Sequence, residues 1–199
     1  IYKKQLMQLG AIMALTGCTS VADMVGYDTA SLNEAAAKNY SQVVQQAQSQ
    51  RVLDNTSHTS RRIKAVFERL KPYANQANQT GTPFNWQMNV FRGNELNAWA
   101  MPGGKMAMYT GMVERLKLTD DEIAAVIGHE MTHALLEHGK KAIGGQVLTG
   151  LGGSILAGAS GVDANIVGLG TDLLASKPFS RHQESEADAG GVRLMAQAG

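Results

Sequence analysis

Residues 129–133 read His-Glu-Met-Thr-His, and each of the three defining positions can do a separate chemical job. Residues four apart lie on one face of a helix, about 6 Å apart along its axis. His129 and His133 can therefore offer two imidazole nitrogens to one metal ion. Glu130 lies beside them and can take a proton from an attacking water. The pattern predicts a zinc site with Glu130 as general base, provided that the motif is helical and a third ligand exists.

The flanking sequence predicts the helix that the motif needs. Thr119 and Glu122 have the form of a capping box at its start, and Gly139 suits its end. Apolar residues recur between them at helical spacing: Ile123, Val126, Ile127, Met131, Ala134 and Leu135. We predict a buried helix over 120–138 with both histidines facing a cleft. The alternative, two core histidines beside a carboxylate without a partner, would be costly.

A catalytic zinc site usually has three protein ligands and a water, so a third ligand must come from elsewhere in the chain. The metzincin class is excluded, because its glycine and third histidine are replaced here by Leu136 and Gly139. His138 has the wrong spacing to share the face of the two histidines. The remaining candidates are five carboxylates and one further histidine: Asp163, Asp172, Glu184, Glu186, Asp188 and His182.

The segment 180–188 favours Glu184 among these candidates. Ser180 and Gln183 form a second predicted capping box, so Glu184 and Asp188 fall four apart on one helical face. Like charges at that spacing repel each other unless a cation or a histidine partner is present. We assign Glu184 to zinc, and Asp188 to the other ring nitrogen of a ligand histidine, which it would orient. The alternative is a solvated acidic face.

Three ordered motifs give the chain a family resemblance; they span residues 97–104, 126–133 and 180–188. Through them, residues 30–199 resemble the HtpX and CAAX prenyl endopeptidase family of zinc metallopeptidases, in particular its periplasmic lipoprotein members of the LoiP and BepA kind. The family pattern E-x-x-x-D falls on Glu184 and Asp188, which implies that Glu184 completes the zinc site. The resemblance implies a gluzincin-like α+β domain, mostly helical with a small sheet beside the active-site helix. It also implies endopeptidase cleavage of misfolded or misassembled cell-envelope proteins.

Two further helices are predicted upstream of the motif. Ser31 and Glu34 form a capping box at the start of a helix over 31–53. A second helix is predicted over 60–74. The residues expected to face the core are Tyr40, Val43, Val44 and Ala47 in the first helix, and Ile63, Val66, Phe67 and Leu70 in the second.

Strand-like sequence lies between these helices and the motif. Apolar residues alternate with asparagine and glutamine over 84–91, and 96–100 and 105–109 flank a Pro-Gly-Gly turn. In the resembling family this region lies along the active-site cleft, where substrate is expected to add as a strand. The residues expected to contact substrate are Asn97, Ala98, Trp99 and Ala100. An ordinary hairpin packed on the catalytic helix is compatible with the same sequence.

The expected reaction also needs a hydrogen-bond donor for the oxyanion that develops at the scissile carbonyl. Candidates are His182, Arg181 and Tyr109, and the sequence does not choose among them. A non-enzymatic alternative is an outer-membrane assembly factor or chaperone that zinc stabilises and whose proteolysis is latent or vestigial. An intact motif is compatible with both readings, because it does not establish that the cleft is open.

The first 18 residues have the form of a bacterial lipoprotein signal. Lys3 and Lys4 precede an apolar stretch over 6–15, which is too short to span a bilayer. The Leu-Thr-Gly-Cys sequence that follows resembles a lipobox, in which Cys18 would be lipidated, and Thr19 favours sorting to the outer membrane. The alternative is an ordinary cleaved signal with an incidental cysteine. Cys18 is the only cysteine of the chain, so it has no disulfide partner within it.

These observations divide the chain into a signal peptide over 1–17, a linker over 18–30 and a zinc metallopeptidase domain over 31–199. We expect the domain to face the periplasm from a lipid anchor and to continue beyond its last residue. Hydrophobic residues make up 44% of the 199 positions, enough for one core. The net charge of +1 comes without a basic stripe, which argues against nucleic-acid binding. The uncharged, glycine-rich segment 143–162 is predicted to cover the cleft, with a membrane-inserted helix as the alternative.

Overall fold

The computed structural model describes Asp23 and residues 26–142 and 179–199. The signal peptide over 1–17, the lipidation site Cys18 and the glycine-rich segment 143–162 fall outside the described residues. What the sequence predicts for those segments stays a prediction.

Two helices open the described chain, α1 over Thr29–Ser49 and α2 over His58–Ala77. The predicted Ser31–Glu34 capping box is wrong, because Asp28 caps α1 and its carboxylate accepts a hydrogen bond from the Ser31 N–H at 3.0 Å. An aspartate oxygen at this position satisfies a backbone N–H of the first turn, so the helix begins earlier than expected. Helix α1 also ends before the predicted residue 53. The inward-facing residues expected in α2 are all buried: Ile63, Val66, Phe67 and Leu70.

A three-stranded sheet follows, with β1 over Gln87–Phe91, β2 over Ala98–Met101 and β3 over Lys105–Tyr109. The strand order is β1-β3-β2, which leaves β1 and β2 at the edges. Strands β2 and β3 form the predicted antiparallel hairpin, and Gly103 and Gly104 supply its turn with φ values of +78° and +82°. Side chains rarely tolerate that backbone conformation, so the turn requires glycine. Strand β1 pairs parallel with β3, an arrangement that the alternating sequence did not predict.

Three helices complete the described chain, α3 over Thr110–Leu116, α4 over Asp120–Leu135 and α5 over Arg181–Ala198. The capping boxes predicted for the last two helices are both formed. Helix α4 ends before the predicted residue 138, because Glu137 adopts a left-handed φ of +52°. Helical backbone resumes at residue 138, so Gly139 does not end the helix as predicted.

The sheet lies between two layers of helices. Helix α1 covers one face, where the buried residues are Ala36, Tyr40, Ala47, Phe91, Trp99, Met101 and Ala107. Helices α2 and α4 cover the other face and contribute much of the main core, and α5 packs against both of them. The Tyr40 hydroxyl ties α1 to the sheet, since it donates to the Met106 carbonyl at 2.6 Å and accepts from the Asn89 amide at 2.8 Å. The result is a mostly helical α+β domain with a small sheet, as predicted.

None of the described helices combines the length and the apolar character that a span of the bilayer would need.

Candidate metal centre

Helices α4 and α5 approach each other through a contact between glycines. A Cβ atom on Gly191 would lie 2.8 Å from the backbone nitrogen of His129, and one on Gly128 would lie 3.0 Å from the Cα of Gly191. Gly190 is equally restricted, because its Cβ would lie 2.3 Å from the Cγ2 of Thr132. The absence of side chains here lets the two backbones come close together. This contact brings the first turns of α5 beside the histidines of α4.

His129, His133 and Glu184 meet at this crossing. One nitrogen or oxygen atom of each lies within 4.8 Å of the others, and within the described ranges no other trio of His, Cys, Asp or Glu does so. The Nε2 atoms of the two histidines are 3.0 Å apart. The Glu184 carboxylate oxygens lie 3.3 Å from Nε2 of His129 and 3.8 Å from Nε2 of His133.

This spacing fits a tetrahedral metal ion. Zinc bonds of about 2.0–2.1 Å in tetrahedral geometry place neighbouring ligand atoms roughly 3.3 Å apart. The observed separations of 3.0, 3.3 and 3.8 Å bracket that value. Two imidazoles and one carboxylate are also a common ligand set of catalytic zinc sites. The residues present therefore fit a metal ion of the zinc type.

The second ring nitrogens of both histidines have partners of their own. Nδ1 of His129 lies 2.8 Å from Oδ1 of Asp188, a carboxylate on the exposed side of α5. Nδ1 of His133 lies 2.8 Å from Nδ1 of His138. When the Nδ1 atoms carry the protons, both Nε2 lone pairs point at one another, which is unfavourable unless a cation lies between them.

His133 is held as a neutral ring. Burial, together with the neighbouring rings of His129 and His138, lowers the pKa of His133 to about 3. Phe179 stacks on its ring with centroids 4.3 Å apart. The neutral imidazole is the form that binds metal ions, so the environment of His133 suits ligation across the physiological pH range.

Glu130 lies in the same region but is not one of the clustered ligands. Its side chain is partly buried, and burial together with the charge of Glu184 raises the pKa of Glu130 to about 8. A bound cation would act in the opposite direction, because it favours the ionised form of a nearby carboxyl group. A carboxyl group with a strongly raised pKa beside a metal site is typical of acid–base chemistry.

The other predicted site residues are less closely associated with the cluster. His182 is largely exposed and lies 3.5 Å from Glu186, and Arg181 is exposed at the start of α5. Tyr109 packs edge-on against Phe91, on the α1 side of the sheet and away from α4. The oxyanion donor therefore stays a prediction.

The predicted substrate residues lie in and beside β2, an edge strand that packs against α4. Asn97 and Ala98 are half-buried, whereas Trp99 and Ala100 are buried. The Trp99 indole belongs to the α1 side of the core, where it packs against Tyr40 and Phe91. What β2 can offer to a substrate is therefore mainly its backbone.

Sequence reasoning missed the role of two features at this site. His138 has the wrong spacing to face the metal in a continuous helix, but the break at Glu137 brings it back against His133. The second feature is the Gly190–Gly191 pair. Two adjacent glycines inside a predicted helix, where each costs about 1 kcal/mol relative to alanine, are a signal of close helix packing that could have been used.

Substitution of Gly191 tests the helix crossing. We expect Gly191→Ala to destabilise the protein by about 1–3 kcal/mol, because the new methyl group meets backbone atoms of α4 that cannot move aside. The same displacement should weaken metal binding by separating Glu184 from the histidines. Denaturant unfolding of the metal-free protein and metal titration measure the two effects. Val192→Ala, on the exposed side of α5, should change neither, and equal stability of both variants would contradict the packing argument.

The α+β fold and the cluster of two histidines and one carboxylate agree with a metalloendopeptidase, the class that the comparisons with known proteins show. Residues 57–199 match peptidase family M48. Since this match covers most of the chain, the protein belongs to peptidase family M48.

Individual relatives agree with this assignment. The chain is 32% identical to the metalloprotease LoiP of Escherichia coli, over 98% of this chain and 79% of that protein. It is 27% identical to the metalloprotease YcaL of the same organism, over 93% of this chain and 76% of that protein. It is 29% identical to a putative β-barrel assembly-enhancing protease of Vibrio cholerae, over 62% of this chain and 27% of that protein.

Proposed function

We propose that the protein is a zinc-dependent endopeptidase in which His129, His133 and Glu184 hold the metal and Glu130 is the general base. The observation that carries the proposal is the cluster itself, in which three suitable ligand atoms converge at tetrahedral spacing. A second carboxyl group, that of the partly buried Glu130, lies in the same region. When bound, zinc would polarise the scissile carbonyl and lower the pKa of the attacking water.

The protein side chains transfer the proton and orient the ligand histidines. Glu130 accepts the proton of the attacking water on its carboxylate and later delivers it to the leaving amine. Asp188 accepts a hydrogen bond from Nδ1 of His129, which keeps Nε2 of that ring free to bind metal. The ring of His133 stays neutral for the reason given above.

We place the substrate along β2. This strand has no partner on its outer side among the described residues and packs against the helix that carries the histidines. A peptide added there would bind mainly through backbone hydrogen bonds, which tolerate many sequences. Such tolerance suits a protease whose substrates are unfolded chains. If alanine at Asn97 together with proline at Ala98 left peptide affinity unchanged in a folded protein, this placement would be wrong.

We also propose a location in the bacterial cell envelope, with misfolded or misassembled envelope proteins as substrates. The lipoprotein-like sequence before Cys18 supports a lipid anchor facing the periplasm, most simply at the outer membrane. The Vibrio relative named for β-barrel assembly makes the outer-membrane assembly machinery a reasonable partner. A Cys18→Ser variant that fractionates with membranes as the unchanged protein does would count against the anchor.

Metal analysis combined with a cleavage assay tests the proposed activity. The purified chain should contain about one zinc ion per molecule and cleave an unfolded protein such as casein. A strong chelator should abolish cleavage, and added zinc should restore it. Binding of unfolded proteins without cleavage, unaffected by the chelator, would instead support a chaperone.

A further inference from the structure

His133 directs its second ring nitrogen into the protein, where His138 meets it. The two Nδ1 atoms lie 2.8 Å apart, and His138 is fully buried. His138 reaches this position because the backbone leaves helix α4 at Glu137, whose φ is +52°. Phe179 lies against both rings, with centroids 4.3 Å from His133 and 5.7 Å from His138. The contact between the two histidines is therefore enclosed.

The protons on the two rings determine the direction of this hydrogen bond. A neutral histidine carries a proton on one nitrogen and a lone pair on the other. For Nε2 of His133 to bind metal, its proton must sit on Nδ1, which then donates to Nδ1 of His138. His138 must in turn carry its own proton on Nε2.

That Nε2 atom faces a carboxylate. It is buried without a hydrogen bond to any described residue, and Oε2 of Glu186 lies 3.3 Å away. A buried N–H without a partner is costly, so the nearby carboxylate favours the form of His138 that carries its proton on Nε2. Glu186 is half-exposed, whereas His133 is almost fully buried. The neutral ring of His138 thus lies between His133 and the Glu186 carboxylate. Burying that carboxylate directly against His133 would be costly.

We infer that His138 and Glu186 are positioning residues for the ligand His133. Glu186 sets the tautomer of His138, and His138 accepts the Nδ1 proton of His133, which fixes that ring for metal binding through Nε2. The two ligand histidines are then oriented differently, His129 directly by Asp188 and His133 through an intervening imidazole. This inference rests on the proposed metal site.

Zinc affinity measured on the full chain by competition with a chromophoric chelator tests the inference. His138→Phe fills the space without an acceptor, and we expect it to weaken zinc binding about 10- to 100-fold. His138→Asn should recover much of the loss, because its Oδ1 can accept from Nδ1 of His133. His58→Ala, an exposed histidine at the start of α2, should bind zinc as the unchanged protein does.

Glu186→Ala provides a second test at a half-exposed position where folding is not at risk. It should weaken zinc binding in the same direction, by less than His138→Phe. Unchanged affinity in Glu186→Ala or in His138→Phe would overturn the inference, as would a folded His138→Asn that binds no better than His138→Phe. If the unchanged protein binds no zinc, the proposed function fails instead.

Discussion

Replacing Glu130 with glutamine should abolish most peptide cleavage and leave the metal in place. Glutamine keeps the shape of the side chain but cannot accept the proton of the attacking water, a contribution typically worth about 10²- to 10⁴-fold in rate. Glu130 is not among the three clustered ligands, so zinc content and affinity should stay close to those of the unchanged protein. The rate of casein cleavage and the bound zinc, measured on the same preparation, check both parts.

The control for this variant lies on the same helix. Asp121 is an exposed carboxylate in the first turn of α4, and Asp121→Asn should cleave at the normal rate. Normal cleavage by a zinc-loaded Glu130→Gln protein would reject Glu130 as the base. Loss of zinc from that variant would instead indicate that Glu130 helps to hold the metal.

Removing Glu184 should have the larger effect on the metal itself. Glu184→Ala deletes the only carboxylate of the cluster and leaves two imidazoles as ligands. Loss of a residue that only hydrogen-bonds a metal ligand typically weakens metal affinity roughly 10- to 100-fold. We expect the loss of Glu184, itself a proposed ligand, to weaken zinc affinity by more than that. Cleavage should disappear with the metal at ordinary zinc concentrations. Chelator competition and zinc analysis after dialysis measure the effect.

Substitutions at two other positions of α5 show whether the loss of zinc affinity is specific to Glu184. Asp188→Asn should weaken zinc binding less, because it changes only the partner of His129. Gln197→Ala, exposed near the end of the helix, should have no effect. If Asp188→Asn lost more zinc than Glu184→Ala, the assignment of the third ligand would have to be exchanged.

Local patterns predicted much of the fold. Both capping boxes around the site formed where the sequence placed them, because such boxes depend on residues within one turn of each other. The hairpin at Gly103–Gly104 formed for the same reason. The parallel pairing of β1 with β3 was not predictable in this way, since it joins segments whose register is set by packing on both faces of the sheet.

At the site, too, contacts set by helical spacing were predicted, whereas contacts set by long-range packing were not. Helical spacing placed His129 and His133 together, and the pairing of Glu184 with Asp188 also followed from spacing. The role of His138 could not be predicted, because it depends on a left-handed residue at Glu137 that is not glycine and carries no sequence signal. The face of the sheet that the Tyr109 ring joins could not be predicted either, because it depends on long-range packing.

The glycine contact between α4 and α5 also joins two parts of the candidate site that are synthesised at different times. The histidine pair and Glu130 leave the ribosome about fifty residues ahead of Glu184. Until α5 docks against Gly128, the two imidazoles and Glu130 are present, but the carboxylate of Glu184 does not lie beside them. If Glu184 is the third ligand as proposed, the metal site would be complete only in the folded domain, and the unfolded chain would lack one of its three ligands.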